Sequence, residues 1–159
     1  MYIYQSKRKN KTKEIKMAGF NLTEWIARPQ KQVFDFITDS RNAPKIGSNT
    51  KEMIKLTEGP VGVGTRYSET RIMNGKEAVA ELEIVEFQPP QKYSVKNVTE
   101  GIDSVYHYSI QPEKDGTRIN LVCEVTASGV KKLMTPMVAS ILKKEDGDHL
   151  QRLKKAMEE

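Results

Sequence analysis

The sequence predicts an α+β domain, a curved antiparallel sheet of about seven strands packed on a long C-terminal helix, with two short helices after the first strand. Three observations carry this. Between residues 50 and 126, apolar and polar residues alternate in successive runs separated only by short turns, two of them the hairpin signals Asn74-Gly75 and Asp115-Gly116. Strands that follow one another this closely form an antiparallel meander, because parallel neighbours need long crossovers. Beyond residue 128 the apolar spacing becomes helical, and Gly129 to Glu158 is the one segment long enough to cover a face of the sheet.

Phe20, Leu22 and Ile26 mark a first strand that ends at Arg28-Pro29. Pro29 suits a first helical turn, and Val33, Phe34 and Ile37 give that helix an apolar face; a second short helix is expected over Ser40 to Lys45. The remaining strands are expected at about 50–57, 64–73, 76–87, 91–99, 103–112 and 116–126, with Pro89-Pro90 and Glu100-Gly101 as further turns. Glu58 to Thr65 holds Gly59, Pro60, Gly62 and Gly64 and reads as a shaped turn between strands. It is not a dinucleotide loop, because a phosphate-cradling glycine loop opens a helix and Arg66 to Arg71 looks like a strand. In the C-terminal segment Val130, Leu133, Met134, Met137 and Ile141 form one stripe, and Leu150, Leu153 and Met157 form a second, turned away from it. Glu145-Asp146-Gly147-Asp148 fills the break between them, with Gly147 a weak point and Pro136 near the start of the helix.

Alternation predicts which side chains face inward. Ala78, Ala80, Leu82 and Ile84 oppose Glu77, Glu81 and Glu83; Tyr106, Tyr108 and Ile110 oppose Asp103, His107, Ser109 and Gln111. Thr117, Ile119, Leu121, Cys123 and Val125 face inward by the same rule, as do Tyr93 and Val95. Small residues (Ala78, Ala80, Ser104) and flexible ones (Met134, Met137) favour a hollow between sheet and helix over a close-packed core. Tyr67, Tyr93, Tyr106 and Tyr108 would offer a ligand both ring surface and hydroxyls. Glu69 and Arg71 share the parity of Tyr67. Turned inward they would form a buried pair or hold a polar ligand head; flipped by a bulge they would be solvated surface charges, which is the preferred reading.

Charge and composition exclude several classes. Of 26 basic and 21 acidic residues, six and one lie in residues 1–16, leaving 20 of each in residues 17–159. The domain is therefore neutral and makes no electrostatic case for nucleic acid. Residues 1–16 are expected to be a disordered basic tail, and residues 17–159 a single domain, monomeric or homodimeric. No apolar run is long enough for stable membrane insertion. With one cysteine no intrachain disulfide forms, and a cytoplasmic setting is expected. No catalytic constellation stands out: His107 has outward parity, His149 among carboxylates reads as solvent-facing, and neither has a serine or cysteine partner identifiable from sequence. Cys123 reads as a buried hydrophobe. Glu145-Asp146-x-Asp148 lacks the frame of a calcium loop and reads as solvated helix surface, so neither metal nor cofactor is expected.

Several motifs, in order, carry a family resemblance: Trp25-Ile26-Ala27-Arg28-Pro29 with Val33-Phe34, the glycine turn Glu58 to Thr65, Val85-Glu86-Phe87-Gln88-Pro89-Pro90, Gly116-Thr117 and Leu153-Lys154. Over residues 18–158 the chain resembles the START/pollen-allergen-like (SRPBCC) superfamily, nearest its polyketide cyclase/dehydrase-like branch. One departure is Ile46 after Pro44-Lys45, where the pattern often has Trp. The resemblance implies the helix-grip fold and binding of a small, mostly apolar ligand such as a lipid, isoprenoid, polyketide or aromatic metabolite. The expected ligand residues are Tyr67, Glu69, Arg71, Tyr93, Tyr106, Tyr108, Met134, Met137 and Ile141, with Gly59, Gly62 and Gly64 at the cavity mouth. A cofactor-independent cyclase or dehydratase using Tyr67, Glu69, Arg71, Tyr93 and Tyr108 is the alternative, and a co-chaperone-type interaction module is the third.

Overall fold

The computed structural model describes residues 17–159. The expected basic tail, residues 1–16, lies outside the described residues. The chain runs β1 (Ala18–Ile26), α1 (Gln30–Thr38), a 3-10 turn (Ser40–Asn42), α2 (Ala43–Ile46), β2 (Thr50–Lys55), β3 (Arg66–Met73), β4 (Lys76–Gln88), β5 (Lys92–Thr99), β6 (Ile102–Glu113) and β7 (Gly116–Ala127). A 3-10 segment (Gly129–Met134), α3 (Thr135–Asp146) and α4 (His149–Glu158) complete it. The sheet is antiparallel throughout in the order β1-β7-β6-β5-β4-β3-β2, so β2 to β7 are one meander and the first strand closes onto the last. This is the helix-grip plan.

Turn chemistry sets the registers. Asn74-Gly75 and Glu100-Gly101 each place two consecutive residues at positive φ, the backbone that matches the right-handed twist of the flanking strands. The third hairpin works differently from the sequence expectation. Lys114, not Gly116, takes the left-handed conformation, and Gly116 is already the first residue of β7. Its lack of a side chain serves packing: a Cβ there would stand 2.4 Å from the Ile26 carbonyl oxygen and 2.6 Å from the Trp25 ring. Trp25 is held over it by donating Nε1–H to the Glu113 carbonyl at 3.0 Å.

Two apolar clusters form the core. The larger joins α1 and α4 to the sheet through Val33, Phe34, Leu150 and Leu153 against Ile26, Ile84, Ile110, Ile119 and Leu121. The smaller gathers Phe20, Ile102, Cys123 and Val125 around Ala139 of α3, with Val138 and Leu142 packed beside it. A bulge in β4 between Ile84 and Glu86 turns Val85 outward and brings Phe87 to the inner face against Phe34 and Tyr93.

The C-terminal helix covers the sheet as expected, but its phase differs from the sequence reading. The predicted stripe of Val130, Leu133, Met134, Met137 and Ile141 is not the packed face: Val130 and Leu133 are 83% and 85% exposed. Residues 129–134 wind as a 3-10 segment. At about 120° per residue instead of 100°, six such residues displace the stripe by roughly 120° before α3 begins. The α3 side chains that reach the core are Val138, Ala139 and Leu142. The second stripe, Leu150, Leu153 and Met157, does face the larger cluster. Between the helices Asp148 leaves the helical path at φ −101° and ψ 8°, so the segment is two helices with a break at the Gly147-Asp148 step.

Substituting Gly116→Ala should cost about 1–3 kcal/mol, since backbone and an anchored ring must both give way. Gly62→Ala, with nothing within 4 Å and no positive φ, should leave the denaturant midpoint nearly unchanged. Equal midpoints for the two variants would refute the packing role assigned to Gly116.

Candidate binding cavity

α3 packs on β1 and β7 through Ala139, and a cavity of about 430 Å³ remains between it and the inner face of β3 to β6. That is within the range of small-molecule sites. Its apolar wall comes from Ile37, Ile46, Leu82, Val95, Ile102 and Val138, with Ala80 and Ser104 leaving room. The exposed lining residues Met73, Glu100, Met134 and Ile141 place the opening between the β3–β4 and β5–β6 hairpin tips and the start of α3.

A charged cluster stands on the inner wall. Arg71 donates through Nε to Glu69 Oε2 at 3.0 Å and through Nη1 to Asp146 Oδ1 at 3.4 Å. Thr50 Oγ1 donates to Glu69 Oε1 at 2.8 Å, and Tyr106 Oη donates to Asp146 Oδ2 at 2.6 Å. Glu69 and Asp146 are only 4% and 3% exposed. Burial alone would pull the Arg71 guanidinium down, but Glu69 and Asp146 outweigh it, so its pKa is raised and it stays charged. Burial, reinforced by Asp146, raises the Tyr106 phenol.

Beside this cluster the Tyr108 hydroxyl lies 2.9 Å from His149 Nε2. His149 is the first residue of α4 and lies on the cavity wall three residues after Asp146. Burial pushes its pKa down to about 4, with Asp146 opposing, so the ring is neutral near pH 7. Burial raises the Tyr93 and Tyr108 phenols, whose rings stack at 5.6 Å, well above their ordinary value. Cys123, behind Tyr106, is pushed up to about 11 by burial and stays a thiol.

Eight of the nine expected ligand residues line this cavity: Tyr67, Glu69, Arg71, Tyr93, Tyr106, Tyr108, Met134 and Ile141. Met137 lies off the wall on the exposed side of α3. Gly59, Gly62 and Gly64 are not at the mouth, since they precede β3 whereas the opening lies past its other end. Ile46, in place of the family's Trp, is buried and lines the wall.

Four readings of polar residues differ in the structure. Glu69 and Arg71 are inward, not surface charges, because β3 has no bulge between Tyr67 and Arg71. Asp146 is buried rather than solvated, on the α3 face of Ala139 and Leu142, and His149 is half-buried against Tyr108 rather than solvent-facing. His107 does have a serine partner: its Nδ1 lies 2.9 Å from Ser94 Oγ across β5 and β6, and its Nε2 3.6 Å from Glu124. Ser94 is fully buried and donates to Glu86, so the outer-face group has no accessible nucleophile. Among the described residues no cluster suits a metal ion, and no helix is long and apolar enough to cross a membrane.

A seven-stranded sheet gripping a C-terminal helix over a lined cavity defines a helix-grip ligand-pocket domain. The sequence matches the family described as polyketide cyclase/dehydrase and lipid transport over residues 17–158, and the chain belongs to that family. No curated protein has a sequence that matches this one. Solved structures with this fold include Ara h 8.0201, with TM-score 0.70, 15% identity, and 86% of this chain and 95% of that one covered. A START superfamily protein from Mycobacterium smegmatis gives TM-score 0.64 at 18% identity, with 87% and 93% covered. The di-domain ARO/CYC BexL from the BE-7585A biosynthetic pathway gives 0.73 at 15% identity, with 87% of this chain matching 46% of that one.

The half-buried His149 on the cavity wall sets a pH dependence. Its pKa is lower folded than unfolded (about 4 against 6.5), so the unfolded chain binds more protons between these values. Its stabilising effect is complete above pH 6.5 and lost as pH falls toward 4, by at most about 3 kcal/mol. His149→Gln, which keeps a hydrogen-bonding amide beside Tyr108, should flatten the stability curve in that window. Identical wild-type and variant slopes from denaturant titrations at pH 4 to 7 would contradict a half-buried neutral imidazole.

Proposed function

We propose that the protein binds and carries a small, mostly apolar molecule in this cavity, its polar end against the Arg71–Tyr108 wall. One observation carries the reading: an apolar space of about 430 Å³ ends at charged groups that already satisfy one another. A ligand therefore gains from burial without having to neutralise the wall. Burying about ten methylenes contributes roughly 8 kcal/mol, against an association cost of 4–15 kcal/mol. Affinities should be micromolar at best. The family's description, which includes lipid transport, agrees with carriage.

A second reading, proton-transfer catalysis on a bound polyketide-like chain, is favoured by the Tyr108–His149 pair. A neutral imidazole within hydrogen-bond reach of a phenol, both on the cavity wall, can accept and return a proton. The ARO/CYC proteins that share the fold make cyclisation the reaction class to test. Cofactor-free turnover that is lost in His149→Gln with binding intact would favour it.

The carrier reading is tested with an environment-sensitive apolar dye. Ala80→Phe puts a ring into the cavity without removing a core side chain, and should weaken dye binding by about tenfold or more while stability holds. Met137→Trp, off the wall, should leave binding unchanged. Unaltered dye affinity in a folded Ala80→Phe protein would overturn the assignment of the cavity as the binding site.

A further inference from the structure

The polar groups of the cavity discriminate between ligand charges, an inference that rests on the carrier reading above. Its wall includes five carboxylate residues, Asp39, Glu69, Glu100, Glu145 and Asp146, against one cation, Arg71, and no lysine. At the inner wall Arg71 is the one cation facing two buried carboxylate residues, Glu69 and Asp146. A carboxylate or phosphate entering this space would lose its hydration and meet like charge, with the one guanidinium already engaged.

Two other groups are free. Tyr67 and Tyr93 are 2% and 7% exposed, and both line the cavity. Neither hydroxyl is hydrogen-bonded to another described residue, yet no described polar side-chain atom is sealed away without a partner. Each hydroxyl therefore keeps an accessible side: Tyr93 on this cavity, and Tyr67 between it and a neighbouring pocket lined by Asp39, Lys55 and Val61. Burial raises both phenols, so each keeps its proton and can donate it. An ammonium ion would be drawn toward the acidic wall, but both buried carboxylates are already engaged by Arg71, Thr50 and Tyr106, and the ion must shed its own water to reach them. A neutral oxygen fits the two hydroxyls.

We propose that the ligand is an uncharged apolar molecule bearing a carbonyl or hydroxyl oxygen, held by the Tyr67 and Tyr93 hydroxyls, and that the acidic wall excludes carboxylates and phosphates. Fatty acids and phospholipid head groups are thereby poor occupants of the inner cavity.

Matched naphthalenes test this by dye displacement from the full-length protein at pH 7.5: naphthalene, 2-acetonaphthone, 2-naphthoate and 2-naphthylmethylammonium. The ketone should displace dye at a concentration about tenfold below that of the carboxylate and below that of the amine. In Tyr67→Phe/Tyr93→Phe, which keeps both rings, the ketone should weaken by about tenfold while naphthalene is unchanged. Carboxylate or amine binding as tight as the ketone overturns the proposal. So does a folded double variant, verified by its thermal melt, that holds the ketone as well as wild type. If no compound binds, naphthalene included, the carrier reading itself fails and the inference falls with it.

Discussion

Two carboxylate residues buried beneath a helix need a partner in an apolar interior, and in this domain Arg71 meets both. The pairing joins the middle of β3 to the last residue of α3, with Tyr106 of β6 and Thr50 of β2 completing the bonds to Asp146 and Glu69. Much of the local architecture follows from it. Asp146 falls on the face of α3 that carries Ala139 and Leu142, and beyond the break at Gly147-Asp148 α4 turns Leu150 and Leu153 into the main core.

The same cluster bears on why the space beside it is hollow. Replacing a buried ion group with well-packed apolar residues is often neutral or stabilising, so stability is a weak reason for its presence. Its geometric effect is more specific. Charged side chains hold one another on the inner wall, and α3 meets the sheet through Ala139 and its neighbours at one edge and through Asp146 at the other. Between those contacts the small side chains of Ala80 and Ser104 leave volume unfilled. The tyrosines then line a space whose floor is polar and whose sides are apolar, the composition that a ligand with one oxygen-bearing end requires.

The fold was largely legible in the sequence because local and global signals agree. Strand alternation, Asn74-Gly75, Glu100-Gly101 and the apolar faces of α1 and α4 each point to the element that forms. The tyrosine wall was legible too, since inward parity is a local property of β3, β5 and β6. What stayed hidden depends on phase and on distance. A 3-10 start to the C-terminal segment is not encoded in apolar spacing, so Met137 was placed on the cavity and Val138 was not. Glu69, Arg71, Asp146 and His149 look like surface residues one at a time; their burial follows from partners 75 or more residues away in the chain for Arg71–Asp146, and about 40 away for Tyr108–His149. The bond between Ser94 and His107 is likewise a cross-strand fact, readable once the β5–β6 register is known.

Native mass spectrometry of protein purified without detergent tests the central claim most directly, because it reads occupancy of the cavity without presuming what fills it. The account predicts a discrete added mass of one neutral apolar compound, shed on collisional activation, or its uptake by empty protein in a ratio of one to one. Protein that carries nothing, and that takes up no apolar compound while remaining folded, would contradict it.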